Sequence, residues 1–329
     1  MNDNLAKNDR VLLGIDIGGT AVKFGVLDAA GRVLSRSTLA TRDLTDRASQ
    51  RAFALAIADL LPPGVEPARV DAVGCAVPGA VDDQGRIGLI PNASIDADGL
   101  MSAIADAFPS SRIATLNDAN AAALGEQWLG AGAGVASVLM VTLGTGIGAG
   151  VIAGSRVLGG AHGCAGEIGH LCVERRGRAC SCGATGCLEQ YASARGLVRT
   201  MIEESEPAAF HPAHDADAAA VFSALEAGDV AARRAVDRFC ETLAFGLAAA
   251  ACTIDPHVIL IGGGVSESFD LFARKLRRDF ARFAIPPCKS TPIEKARLGN
   301  DAGFMGAARF AHACLLGPSD QAERKDAQP

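Results

Sequence analysis

Three cysteines fall within eight residues, Cys180-Ser-Cys182-Gly-Ala-Thr-Gly-Cys187, and His170 lies ten residues upstream. Three thiolates and an imidazole make a closed four-ligand set, and the glycines let the loop fold round an ion. The spacing therefore predicts structural zinc with no open coordination position. Cys172 is an alternative to His170 as a ligand, and Cys164 also lies near. Carboxylates flank the cluster: Glu167 precedes His170 by one helical turn, and Glu189 follows Cys187 by two residues. A metal-pinned loop presenting two carboxylates and an imidazole suits vicinal hydroxyls, so the ion is expected to organise a pocket and not to activate water.

Phosphate chemistry is predicted elsewhere. In Asp16-Ile-Gly18-Gly19-Thr20, with Lys23 behind it, glycines let the backbone approach a phosphate and aim N–H groups at its oxygens. Asp16, an acid at a strand end beside such a site, makes sense mainly with Mg²⁺ between them. Gly144-Thr145-Gly146-Ile-Gly148 repeats the device in the second half of the chain. Neither turn is a GxGxxG before a helix or a Walker A loop. Gly262-Gly263-Gly264 leaves room for an adenine or ribose on the backbone, and residues 299–303 are expected to form the other side of that slot. Between the two turns lies Asn117-Asp118-Ala-Asn120. Asp118 reads either as a helix cap or as the base that takes a proton from an alcohol during phosphoryl transfer. Asn117 and Asn120 beside it suit polyol hydroxyls.

The elements that must position these groups follow from the apolar period. Strands are expected at 11–17, 21–27 and 32–39, a helix at 46–61, a strand at 70–77, a helix at 100–108, a strand at 113–116 and a helix at 119–129. The strand–glycine turn–strand opening then recurs at 137–152, followed by a short strand at 157–158. Helices are expected at 192–204, 217–228 and 229–252, a strand at 257–261, and helices at 269–283 and 302–316. This predicts an internally duplicated α/β fold with a glycine turn in each half. Residues 10–117, completed by 302–316, would form a small domain, and 118–301 a large one carrying the metal loop at 164–189. Residues 1–9 and 317–329 are polar and expected to be disordered.

Composition excludes several classes. The 329 residues are 49% hydrophobic and 21% charged, with a net charge of −6, and no Lys/Arg cluster argues for nucleic acid. Arg175-Arg176-Gly-Arg178, the densest basic stretch, is short and sits beside the cysteines. No segment resembles a signal peptide, and no apolar run suits a membrane span. Ten cysteines without a secreted spacing fit a reducing, cytoplasmic compartment.

In combination, Asp-Ile-Gly-Gly-Thr-x-x-Lys (16–23), Asn-Asp-Ala-Asn (117–120), Leu-Gly-Thr-Gly-Ile-Gly-Ala-Gly (143–150), Gly-Glu-Ile-Gly-His (166–170), Cys-x-Cys-Gly-x-x-Gly-Cys-Leu-Glu (180–189) and Ile-Gly-Gly-Gly-Val (261–265) resemble the ROK family over residues 11–316. That family comprises sugar kinases and sugar-responsive repressors with the two-lobed actin-like ATPase (ribonuclease H-like) fold. The resemblance implies that Asp118 is the base acting on a sugar 6-hydroxyl. It implies that Glu167, His170 and Glu189 bind the sugar with Asn117, Gly79 and Asn92 assisting, and that His170 also ligates zinc with Cys180, Cys182 and Cys187. Gly18, Gly19, Thr20, Gly144, Thr145 and Gly146 would hold ATP phosphates, and the chain would form a homodimer. Family repressors carry a DNA-binding helix-turn-helix ahead of this core; ten residues precede Val11 here, which favours the kinase. Glucose leads among expected substrates, ahead of N-acetylmannosamine, N-acetylglucosamine, fructose, mannose and allose. One departure concerns that choice. After Pro91-Asn92 many family glucokinases carry a Leu-Pro-Gly-Trp-like stretch, and here residues 93–99 read Ala-Ser-Ile-Asp-Ala-Asp-Gly.

Overall fold

Val11–Ile17 (β1) is apolar apart from Asp16 near its end because both faces of its sheet are covered; Leu12, Leu13 and Ile15 are fully buried. Ala21–Asp28 (β2) returns antiparallel to it, setting Lys23 opposite Asp16. Val33–Ala40 (β3) alternates half-buried and exposed residues, as an edge strand with one wet face should. Val70–Val77 (β4) and Arg112–Asn117 (β5) continue the sheet in parallel, giving the order β3-β2-β1-β4-β5. The computed structural model describes residues 10–41, 43–82, 84–88, 95–205 and 217–322.

Arg47–Asp59 (α1) and Ala97–Ala107 (α2), capped by the side chains of Asp46 and Asp96, cover one face of this sheet. Phe53, Ile57, Leu100 and Ile104 pack there on Leu13 and Ile15. Asp118–Leu129 (α3) and the C-terminal helix Ala302–Ala322 (α9) belong to the same unit, α9 crossing the opposite face. Gly14 and Gly74 are register partners on β1 and β4, and a Cβ on either would overlap the main chain of α9 at Phe304 or Ala307. Gly125 and Gly306 make the same close approach between α3 and α9. Gly306→Ala would drive a methyl into the Ala121 carbonyl. Such overpacking costs about 3 kcal/mol, which should lower the melting temperature by about 6–12 °C. Gly19→Ala, with nothing within 4 Å of the added carbon, should leave it unchanged. Thermal unfolding of the two variants tests the seam.

The second unit repeats the plan. Val138–Leu143 (β6) and Ile147–Ala153 (β7) form the hairpin, Arg156–Val157 (β8) pairs with β7, and Val258–Gly262 (β9) and Ile293–Lys295 (β10) add in parallel. The order β10-β9-β6-β7-β8 matches that of the first sheet strand for strand, so the duplicated α/β architecture is a fact of topology. Glu189–Ala192 (α4), Ala194–Glu204 (α5), Ala218–Glu226 (α6), Val230–Ile254 (α7) and Phe269–Phe283 (α8) complete the unit. Phe239 and Phe222 meet Phe272 at ring-centroid distances of 5.4 and 5.7 Å in its core.

The structure differs from the sequence reading at several points. Contacts divide the chain into residues 1–133, 159–165 and 300–329, and residues 134–158 and 166–299. The first break thus falls after Ala133 and not before Asp118, because the glycine seam fastens α3 to α9. α9 continues to Ala322, so the expected disorder from 317 does not begin there. Strand β10 went unread because three residues are too few to show a period. The expected disorder at 1–9 lies outside the described residues.

Candidate active site

Since β1, β4 and β5 are parallel, their C-terminal ends share one sheet edge, where open α/β sheets bind ligands. Asp16, Gly79, Asn117 and Asp118 all lie at that edge. Asn117 caps α3: its Oδ1 accepts from Asn120 N at 3.1 Å. Its Nδ2 donates to the Gly79 carbonyl at 3.1 Å and to Asp118 Oδ1 at 3.0 Å. Asp118 is therefore the first helical residue and not the cap. Its Oδ1 also accepts from Ala119 N at 2.8 Å, and its Oδ2 has no partner among the described residues. Burial pushes the Asp118 pKa up, against the pull of the Ala119 N–H.

Asp16 lies against Gly303, at a place where any side chain on α9 would collide with it. Burial, then the charge of Asp118, push its pKa to about 6, with Lys23 pulling back. Lys23 Nζ donates to Asn300 Oδ1 at 2.7 Å. Residues 300–303, expected beside an adenine, thus serve Asp16 and Lys23 in the first unit. The glycine turn is pinned from behind: Gly18 N donates to Ala21 O at 3.0 Å and Thr41 Oγ1 to Gly18 O at 2.6 Å, leaving Gly19 and Thr20 exposed.

The raised pKa of Asp16 makes a stability prediction. Between about pH 4 and 6 the native state binds more protons here than the unfolded chain, so stability falls as pH rises through that window. The loss is of the order of 3 kcal/mol, complete above pH 6. Asp16→Asn should therefore stabilise the free protein at pH 7 and flatten this slope in urea titrations. A variant no more stable than wild type at pH 7 would refute the assigned strain.

In the second unit, the Gly144-Thr145-Gly146 turn joins β6 to β7, and Thr142 pairs with Gly262 across β6 and β9. The turn and Gly262-Gly263-Gly264 therefore share one sheet edge. Gly144 N donates to Gly146 O at 3.0 Å, and Ala194 N to Gly144 O at 2.9 Å, while Thr145, Gly263 and Gly264 stay exposed. Gly263 has φ +80°, and its position faces the Leu143 carbonyl at 2.5 Å, so only glycine fits. A Cβ on Gly146 would come within 2.7 Å of Glu189 Oε2, which places that carboxylate beside the phosphate-type turn.

His170, Cys180, Cys182 and Cys187 offer ligand atoms that all lie within 4.8 Å of one another. Cys172, the alternative ligand, is not in that group, although its backbone bridges to Cys187. Cys180 Sγ is 3.7 Å from His170 Nδ1, and Cys182 Sγ 3.6 Å from Cys187 Sγ. A tetrahedral zinc with Zn–S bonds near 2.3 Å has ligand–ligand edges of about 3.8 Å, so the donor set fits that ion. Glu189 Oε1 accepts from the Cys180 thiol at 3.1 Å, the thiol standing for the thiolate a metal would hold. His170 N donates to Glu167 O at 3.1 Å in the turn carrying both residues, and both side chains are exposed.

A family model described as "ROK family" matches residues 12–314. The chain belongs to the ROK family. A glucokinase from Halalkalibacterium halodurans is 37% identical over 314 residues, covering 91% of this ROK chain and 94% of its own. The crystal structure of a ROK hexokinase from Thermus thermophilus superposes with a TM-score of 0.79 at 34% identity, over 96% of this chain and 99% of the other. A ROK family glucokinase from Streptomyces griseus, solved with glucose and AMPPNP, gives a TM-score of 0.75 at 33% identity, covering 92% and 99%.

In this ROK protein the predicted residues thus form two groups. Asp16, Gly18, Gly19, Thr20, Lys23, Gly79, Asn117 and Asp118 belong to the first unit. Gly144–Gly146, Glu167, His170, the three cysteines, Glu189 and Gly262–Gly264 belong to the second. Asn92 lies outside the described residues. Sequence reasoning missed Asn300 as the partner of Lys23; an Asn in a Gly-rich turn carries no signal of its contact 277 positions away. No helix among the described residues is long and apolar enough to cross a membrane.

Proposed function

We propose that this protein is a sugar kinase that transfers the γ-phosphoryl group of ATP to the 6-hydroxyl of a hexose, glucose first among the candidates. The observation that carries the reading is the Asp118 carboxylate, one oxygen tied to its own helix and the other without a partner among the described residues. Asp118 Oδ2 accepts the hydroxyl proton as the sugar oxygen bonds to the γ-phosphorus and the bond to the ADP oxygen breaks. Its raised pKa makes it a better proton acceptor than an ordinary aspartate.

Glu167, His170 and Glu189 hold the sugar hydroxyls, with Asn117, Gly79 and Asn92 assisting. His170 ligates through Nδ1 and turns its other nitrogen to a hydroxyl. The turns Gly18–Thr20 and Gly144–Gly146 take the phosphates, through the exposed Gly19, Thr20 and Thr145 since Gly18 N and Gly144 N are committed within their turns, and Gly262–Gly264 give the adenosine room. Mg²⁺ held by Asp16 supplies neutralisation of phosphate charge. Zinc on His170, Cys180, Cys182 and Cys187 supplies rigidity to the sugar-binding loop. The same reading takes the protein as a homodimer in the reducing cytoplasm. Coupled ADP release across a panel of hexoses and hexosamines tests the reading. Saturable turnover with a 6-hydroxyl sugar, and none with its 6-deoxy analogue, is expected. Absence of ADP release with every sugar overturns it.

A further inference from the structure

Arg178 is the last of the short basic run before the cysteines, and nothing above uses it. Its side chain is 6% exposed, an unusual place for a guanidinium. Nη1 donates to the carbonyls of Gln190 and, at 3.2 Å, Gly196; Nη2 donates to Thr200 Oγ1 at 2.9 Å and Glu203 Oε2 at 2.6 Å. The guanidinium also lies over the Tyr191 ring, 4.6 Å from its centroid. The main chain of the same residue is bonded as well. Its N–H donates to Tyr191 Oη at 2.8 Å, and its carbonyl accepts from Gly186 N at 2.8 Å.

Arg178 thus joins three segments: the Cys180–Cys187 loop through its backbone, α4 through Gln190 and Tyr191, and α5 through Gly196, Thr200 and Glu203. α4 is four residues long, so its carbonyls find no full set of partners within it; Ser193 Oγ donates to the Glu189 carbonyl at 2.6 Å. Arg178 supplies another donor at Gln190, the residue after Glu189. Glu189 in turn contacts both Cys180 and the Gly146 position. A planar fork with five N–H groups can serve carbonyls, a hydroxyl and a carboxylate together; a lysine ammonium has three donors and no fixed plane.

We propose that Arg178 is a positioning residue that sets the orientation of Glu189 and the spacing of the cysteine ligands, so that sugar affinity and zinc affinity both depend on it. The sugar half rests on the kinase reading above; the zinc half does not. Removing a direct outer partner of a metal ligand costs roughly tenfold to a hundredfold; Arg178 reaches the ligands through α4 and the loop backbone, so the lower end of that range is expected. The test compares Arg178→Lys with Arg178→Ala, since the alanine variant strips the Gln190 carbonyl and Thr200 Oγ1 of their buried partner, although Glu203 keeps Arg199, and can fail to fold. Zinc affinity is read by competition with a chromophoric chelator, sugar affinity by calorimetry with glucose, and KM and kcat by ADP release.

Arg178→Lys is expected to fold, bind zinc at least tenfold more weakly and raise the sugar KM at least tenfold. Its kcat and its KM for MgATP should stay within threefold of wild type. Wild-type zinc and sugar affinity in a folded Arg178→Lys protein would overturn the proposal, leaving Arg178 a stability residue. Equal losses in sugar KM, MgATP KM and kcat would overturn it too. If wild type turns over no sugar, the kinase reading fails, while the zinc competition still decides the role of Arg178.

Discussion

Asp118→Asn is expected to lower kcat by two to four orders of magnitude while sugar binding stays within a few-fold of wild type. The substitution is nearly silent structurally. The amide oxygen can take the place of Oδ1 and accept from Ala119 N, since that bond asks only for an acceptor. The amide nitrogen then stands where the unpartnered Oδ2 stood, a donor in place of the proton acceptor. The helix keeps its cap because Asn117, not Asp118, bonds Asn120 N. Loss of a negative charge in the first turn costs about 0.3–1 kcal/mol, set against relief of a carboxylate that burial disfavours. Stability should therefore barely move. A second readout follows from the coupling to Asp16: with the Asp118 charge gone, the Asp16 pKa falls below about 6. Rapid-quench turnover and calorimetry with glucose check the first part, and NMR titration of the Asp16 carboxyl checks the second. A variant retaining more than a tenth of wild-type kcat would remove Asp118 as the base.

That pair also shows where sequence stops. Asn117 and Asp118 are both good capping residues, and only φ/ψ and the side-chain bonds say which one caps. The glycine turns were legible because turn geometry leaves a mark in residue type. The duplication was legible because its opening hairpin repeats with its apolar runs intact. The cysteine loop was legible as a ligand set, yet whether His170 or Cys172 joined it required the positions of the ligand atoms, which bring His170 and not Cys172 to the three cysteines. Long-range polar contacts left no mark. Arg178 reaches Glu203, 25 positions away, and read only as part of a basic run. The unit boundary was misplaced because small residues that let α3 and α9 touch look, in sequence, like ordinary Ala/Gly helix composition.

Removal of zinc, by chelation or by Cys182→Ser, is expected to weaken sugar binding at least tenfold and to destabilise the loop without unfolding its unit. In zinc-finger peptides the metal supplies about 10–16 kcal/mol, because there it is the core. Here the second unit has its own core around Phe222, Phe239 and Phe272, so the loop alone depends on the ion. Without it, residues 170–187 are held by local backbone bonds, among them Val173 N to Gly186 O and Cys180 N to Ala184 O, and by Arg178, none of which reaches the side chain of Cys182. Gly183 and Gly186 sit at φ +90° and +76°, conformations that glycine gives up much entropy to hold. Charge acts in the same direction. Three thiolates and the Glu189 carboxylate beside Cys180 repel one another unless a cation lies among them, so loss of zinc either protonates the thiols or spreads the loop. Either outcome moves His170 and Glu189, whose separation must match two hydroxyls on one sugar ring. Nucleotide affinity should fall less, because the turns at Gly18–Thr20 and Gly144–Gly146 are built on strands whose register needs no metal. Zinc content by atomic absorption, glucose and AMPPNP titrations by calorimetry, and hydrogen exchange over 164–189 check these statements together. Metal-free protein with wild-type glucose affinity would separate the cysteine cluster from the sugar site altogether.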